Sequence, residues 1–238
     1  KFNEFIDFAY QEKSKKPTVY NVGYPKLDLL LEENELTKKL KELYHIKERP
    51  TVLYAPHWNP FGSLHTFEDE IIKVLMKYDI NLLIKPHHYL YAKYPELNWQ
   101  KRLADLAKES SNITIIERPN TQELYPLADM MISDTGTSAP FEFCLLQKPL
   151  FVFKNDRWFE NETEAYEEKR ILEASICFEN IENFQELIAE YLNESSQMRA
   201  LIHNQQKKQK ELIDELLYNP GKATPKAVEA IQIELGLK

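Results

Sequence analysis

The sequence predicts an α/β protein, a Rossmann-like parallel sheet with helices on both faces. Three observations carry that prediction. Short continuous apolar runs recur, such as TVLYAP after Pro50 and NLLIK before Pro86. Runs of this kind are strands buried on both faces rather than strands with one wet face. Amphipathic segments lie between them, and the two kinds alternate at short intervals. Such alternation favours parallel strands joined by right-handed crossovers.

In chain order, Thr51 to Pro56 is the first strand, bounded by prolines. Phe67 to Tyr78 places Phe67, Ile71, Ile72, Leu75 and Met76 on one helical face, with acids early and lysine late, matching the helix dipole. Asn81 to Lys85 is the second strand and Trp99 to Glu109 the next helix. Ile113 to Ile116 is a third strand. Thr121 to Ala128 is a short helix with Thr121 as N-cap. Met130 to Ile132 is a fourth strand, Ser138 to Leu146 a helix, and Leu150 to Phe153 a fifth strand. Glu162 to Glu173 is helical and Ile176 to Phe178 is the sixth strand. Helix follows over Ile181 to Leu217, broken near Glu194-Ser195-Ser196, and over Thr224 to Leu235. Residues 1–49 lack this pattern and read as a connecting segment, with a VGYPKLD turn and a polar helix from Asn34 to Tyr44. Residues 50–218 form the Rossmann-like domain, and residues 219–238 a crossing helix.

Composition narrows the function. The 238 residues are 43% hydrophobic and 29% charged, with 12% aromatics, as in an ordinary globular protein. The net charge of -8 argues against general nucleic-acid binding. Two cysteines make neither a disulfide framework nor a four-cysteine zinc site and suit a reducing compartment. No apolar run is long enough to span a bilayer and no signal peptide opens the chain, so a cytoplasmic protein is expected. The chain begins at Lys1, which reads as a piece of a longer protein. Membrane attachment through other segments stays open. With five glycines there is no GxGxxG or Walker loop, which removes the dinucleotide and P-loop readings.

In parallel sheets, ligands bind outside the carboxyl ends of the strands. Titratable and hydroxyl side chains gather at those ends. His57 follows the first strand. Lys85, Pro86, His87 and His88 close the second, Glu117 and Arg118 the third, and Ser133-Asp134-Thr135-Gly136-Thr137-Ser138 the fourth. The last stretch opens a helix, whose free N–H groups and partial positive charge suit a phosphate. Gly136 would allow close approach. The same residues also make a plain N-cap turn. Lys85 with His87 could neutralise a diphosphate. A solvated loop is the rival, with the two adjacent histidines pointing different ways. His57 belongs to the cleft, or is solvated with His65 beside an aromatic turn in which Trp58, Phe61 and Phe67 pack. Glu142, one turn into the helix, could accept hydroxyls of a ribose or polyol, or only complement the dipole. Arg118 contacts a base or is a surface charge. Cys144, in an apolar helix, is a core thiol. No spacing suggests a metal site, a cofactor or a hydrolase triad.

TVLYAPHW, LLIKPHH and ADMMISDTGTSAPFEFCLLQKPLFVF, in that order, resemble the CDP-glycerol glycerophosphotransferases, the teichoic-acid primase and polymerase family. VGYPKLD resembles the segment before them. The resemblance covers about Asn21 to Lys154. It implies the C-terminal, donor-binding half of a GT-B fold, with CDP-glycerol or another CDP-alcohol as donor and a cell-surface polymer hydroxyl as acceptor. His87 would contact the pyrophosphate. Ser133, Asp134 and residues 135–138 would hold phosphate, and Glu142 would be the family's acidic residue. His57 stands after Y-A-P, where the family carries Thr or His. The family's general-base histidine belongs to an amino-terminal domain that residues 1–49 are too few to build. Two rivals are a UDP-sugar glycosyltransferase or epimerase on the same fold, and a module that only docks to other envelope proteins.

Overall fold

The computed structural model describes residues 17–31, 35–118, 120–161 and 166–237. Contacts divide the chain into two compact units: residues 30–216, and residues 1–29 with 217–238. The first unit holds the sheet. Its strands are β1 (Thr51–Ala55), β2 (Asn81–Ile84), β3 (Ile113–Ile115), β4 (Met130–Asp134), β5 (Leu150–Phe153) and β6 (Ile176–Phe178). All pairs are parallel and the order is β3-β2-β1-β4-β5-β6. The strand order reverses between β1 and β4, where Ala55 pairs with Ser133. A crevice opens outside the carboxyl ends at such a reversal.

The unit's helices are α1 (Glu35–Leu43), α2 (Ser63–Thr66), α3 (Glu70–Leu75), α4 (Tyr89–Lys93), α5 (Trp99–Glu109), α6 (Ala139–Cys144), α7 (Asp156–Asn161), α8 (Tyr166–Glu173), α9 (Ile181–Leu192) and α10 (Ser196–Leu216). Every residue of β1, β2, β4 and β5 is buried, as continuous apolar runs require. Alternation along each strand divides the apolar side chains between two faces. Val52, Tyr54, Leu82, Ile84, Ile132 and Phe151 join a core with Ile71, Leu75, Leu103 and Ile188 from α3, α5 and α9. On the other face α6 and α10 pack on each other, and α6 rests on β4 and β5.

The amino edge of the sheet is closed by hydrogen bonds. Buried Asn81 donates to the carbonyls of Lys47 and Arg49 and to Thr51 Oγ1, and accepts from the Lys47 N–H. This leaves the carboxyl edge as the open one.

Several elements differ from the sequence reading. Phe67 to Tyr78 is not one helix: Glu68, at φ 50°, separates α2 from α3. Helices α4 and α7 were not foreseen, each being a single short turn after a polar loop. Thr121 to Ala128 is a 3-10 turn over Gln122–Leu127, and Thr121 makes no side-chain cap bond. The sheet unit starts at Leu30 rather than residue 50, because α1 packs on that 3-10 turn and buries Leu40. Part of the expected Glu162–Glu173 helix lies outside the described residues, as does the first residue of the helix expected from Asn34.

In the second unit, α11 (Ala223–Glu234) begins where Asp28 accepts the N–H groups of Ala223 and Thr224. Gly23, at φ 98°, packs so close to Tyr218 that a Cβ would stand 2.0 Å from its carbonyl oxygen. That contact gives the glycine of the VGYPKLD turn its physical reason.

Candidate active site

Lys85 leaves β2 half-buried, and its Nζ donates to the Pro86 carbonyl at 3.1 Å. Burial lowers its pKa. His87 and His88 follow, exposed, with rings stacked at 4.4 Å and 25°. The expectation that adjacent histidines diverge is therefore corrected, because the chain turns into α4 at this point. His87 Nδ1 accepts the Tyr89 N–H at 3.2 Å. Burial, then the neighbouring His88 and Lys85, lower its pKa. Arg118, after β3, pairs with Glu123 at 3.1 Å. Lys85, His87, His88, Arg118 and Thr137 line one cavity of about 490 Å³, floored by Ala55 and Ile116.

His57 stands beside this cavity, half-buried. Its ring stacks on Trp58 at 5.5 Å and meets the edge of Trp158 at 5.8 Å. Burial pushes its pKa down to about 4. The Asn59 N–H donates to its Nδ1, so the neutral ring carries its proton on Nε2. The ring is thus packed among indoles rather than solvated, with the aromatic turn bordering the cleft. Phe67 is separate, packed on Phe153.

The end of β4 and the loop after it depart from their expected role. Ser133 is fully buried and its hydroxyl donates to the Ala55 carbonyl at 2.8 Å. Thr135, also buried, donates to the Phe153 carbonyl at 2.7 Å. A hydroxyl has one proton to donate, so neither is a free phosphate donor. Asp134 is buried and its Oδ2 accepts the N–H groups of His57 at 2.6 Å and Ser63 at 3.0 Å, tying the loop after β1 to β4. Burial raises its pKa to about 6. Glu142 is 2% exposed, and its Oε2 accepts from Gln122 at 2.7 Å and Tyr125 at 2.8 Å. It braces α6 from within rather than facing a hydroxylated ligand. Helix α6 has six residues, fewer than the run expected from Ser138, so its terminal dipole is weaker.

What the loop does present is half-exposed Thr137 and exposed Ser138, whose hydroxyl donates a long bond to Glu142 Oε1 at 3.4 Å. Gly136, at φ 83°, lies under Trp158, where a Cβ would meet the indole at 2.5 Å. Trp158 was missed by sequence reasoning, since α7 shows no period in six residues. Its only sequence signal was an indole in a polar stretch at a strand's carboxyl end. A second cavity, of about 270 Å³, opens beneath it and shares Thr137 with the first.

Six parallel strands with one reversal, and lysine, histidine, arginine and hydroxyl groups gathered outside it, define a doubly wound α/β protein with a cleft lined by basic and hydroxyl side chains. The chain belongs to the CDP-glycerol:poly(glycerophosphate) glycerophosphotransferase family, whose model matches residues 4–231. It is 29% identical over 166 residues to a teichoic acid glycerol-phosphate primase of Bacillus spizizenii, covering 68% of this chain and 39% of that protein. The corresponding protein of Bacillus subtilis is 27% identical over 160 residues, covering 66% of this chain and 37% of the relative. The chain thus spans under two fifths of these relatives. Among solved structures, a variant of the wall teichoic acid polymerase TagF soaked with CDPG superposes with a TM-score of 0.66 at 17% identity, over 99% of this chain and 56% of the other. A glycosyltransferase from Rickettsia africae gives 0.59 at 16% identity, over 98% and 62%. At such identities these likenesses speak for the fold. The Rossmann-like parallel sheet and the family read from the motifs are both borne out.

Proposed function

We propose that this chain is the donor-binding part of a glycerophosphotransferase and that its 490 Å³ cavity receives the cytidine diphosphate of a CDP-alcohol. The observation that carries the reading is the meeting of Lys85, His87, His88, Arg118 and Thr137 in one cavity at the strand reversal. In the reaction an acceptor hydroxyl oxygen attacks the β-phosphorus. A new P–O bond forms, the bond to the bridging oxygen breaks, and CMP leaves with the electron pair. The hydroxyl proton passes to a general base, which the family resemblance assigns to an amino-terminal domain.

Charge builds on CMP as that bond lengthens, and fixed donors and cations stabilise it. Lys85 and Arg118 supply positive charge and Thr137 a hydroxyl donor, and Ser138 adds a second when its hydroxyl turns from Glu142 Oε1 to the phosphate. His87, depressed in the free cleft, regains its proton when an anion sits beside it. His57 offers a neutral N–H from the adjoining loop. Ser133, Asp134, Thr135 and Glu142 hold this frame, and Gly136 leaves room for Trp158. The acceptor is a polyol-phosphate or glycan hydroxyl, and the protein works at the inner face of the cell membrane. Among the described residues, no helix is long and apolar enough to cross a membrane.

The test is a melting series with CDP-glycerol, CDP-ribitol, CMP, UDP and UDP-N-acetylglucosamine. The reading expects cytidine ligands to stabilise the chain and uridine ligands to leave it unchanged. A preference for uridine would replace it with the nucleotide-sugar reading. Indifference to all five would favour a docking module.

A further inference from the structure

We infer that Asp134 is a positioning residue: its carboxyl group orients the His57 imidazole beside the cleft. This rests on the donor reading above, in which His57 offers its N–H, and names the group that aims it.

His57 and Ser63 stand at the two ends of the loop that leaves β1 and enters α2. One oxygen, Asp134 Oδ2, accepts the N–H groups of both, at 2.6 and 3.0 Å. The side chain is 1% exposed, and its Oδ1 makes no hydrogen bond among the described residues. A buried carboxyl group is costly unless hydrogen bonds offset it, and here those bonds come from the loop.

Between its ends the loop is tied to itself. The Asn59 N–H donates to His57 Nδ1 at 3.0 Å, the Phe61 N–H to Asn59 Oδ1 at 2.9 Å and the Gly62 N–H to the Asn59 carbonyl at 3.0 Å. The first of these bonds sets the angle of the ring and leaves Nε2 as its donor. Asn155 holds the far side, donating to the Phe61 carbonyl at 2.8 Å. At Gly62 a Cβ would stand 2.6 Å from the His57 carbonyl oxygen and 3.0 Å from Asp134 Oδ2, so the loop closes on the carboxyl group because this residue has no side chain.

His57 follows β1, whereas Asp134 ends β4, the strand across the reversal. The two bonds therefore set the imidazole relative to β4 and the loop that carries Thr137 and Ser138. With the carboxyl group gone, the ring should leave its place between the indoles of Trp58 and Trp158.

The experiment is an NMR titration of the His57 ring in the 238-residue chain and its variants, the signal being the one that His57→Gln removes. His87 is the ring's titratable neighbour, Trp58 and Trp158 flank it without charge, and Tyr54 lies near Asp134. In the wild type the ring should stay neutral down to about pH 4, and Asp134→Ala should return its titration towards the ordinary 6.5. Asp134→Asn, whose amide oxygen can accept the same two N–H groups, should keep the wild-type titration. Gly62→Ala crowds the same joint while the carboxyl group stays, so it should release the ring too, and it decides the question if Asp134→Ala does not fold. Calorimetry with CDP-glycerol gives the functional half. His57→Gln and Asp134→Ala should each weaken binding about three- to tenfold, the scale of one hydrogen bond, and the double variant should bind no more weakly than either. The inference fails if the ring keeps its wild-type titration in the folded Asp134→Ala and Gly62→Ala variants, or if the two losses multiply in the double variant. A wild type that binds no CDP-glycerol defeats the donor reading, while the ring titration still decides what Asp134 holds.

Discussion

His87 and His57 show how two imidazoles a few ångströms from one cleft take different tasks. His87 is largely open to solvent, yet the cleft partly desolvates its ring, and that with the neighbouring His88 and Lys85 lowers its pKa, an effect a bound diphosphate would offset. Donor binding should therefore tighten as pH falls through the ring's ordinary 6.5 towards its lowered value in the free cleft, as the ring takes up a proton. His87→Ala should weaken CDP-glycerol binding about ten- to hundredfold, the scale of a charge-assisted hydrogen bond, and abolish that pH slope. Calorimetry at several pH values reads both effects, and the melting temperature should hold because the ring is exposed.

His57 and Asp134 act on stability in opposite senses. His57 falls to about 4 in the folded chain, so between that value and its ordinary 6.5 the unfolded form binds more protons and stability rises with pH. Asp134 rises from 3.8 to about 6, so the folded form binds more protons in its window and stability falls with pH. The two trends oppose each other in the wild type. Asp134→Asn should expose a rise in stability from about pH 4 to 6.5, and His57→Gln a fall, both read by urea unfolding across that range.

At the scale of the element, the end of β4 and the loop that joins it to α6 divide their hydroxyls between inside and outside. Ser133 and Thr135 bond to carbonyls of the neighbouring strands, while Ser138 is exposed. Ser133→Ala should lower stability by about 1 kcal/mol, or roughly 2–4 °C, and leave donor affinity alone. Ser138→Ala should do the reverse, weakening donor binding with little change in melting. Paired melting and binding measurements separate the two, and reversed outcomes would mean the loop has been assigned inside out. Its alternation follows from β4 running to Asp134, two residues beyond the apolar run that marks it. Sequence periodicity sees the apolar run and not the strand's polar end.

At the scale of the molecule, a chain of net charge -8 gathers Lys85, Arg118 and two histidines at the strand reversal. Overall charge argues against nucleic acid as a general partner but does not govern a local cleft, because screening limits exposed charges to within about 10 Å. A ligand at 100 times its Kd adds about 2.7 kcal/mol, which for a chain of this length raises the melting temperature by roughly 5–10 °C. CDP-glycerol at that excess should produce such a shift, and added salt should reduce it by weakening the phosphate contacts.

Taken alone, the sequence determined the class of fold, the six strands, the family and the edge of the sheet where polar groups collect. Each of these depends on local patterning: continuous apolar runs, amphipathic intervals and short motifs. Tertiary structure alone decided the strand order, the stacking of His87 on His88 and the indole of Trp158 over Gly136. It also decided which hydroxyls between Ser133 and Ser138 are buried against a carbonyl and which are exposed. Those outcomes turn on partners distant along the chain, such as Ala55 for Ser133, Phe153 for Thr135 and Gln122 for Glu142. A side chain's availability is set by what it packs against, and no local pattern records that.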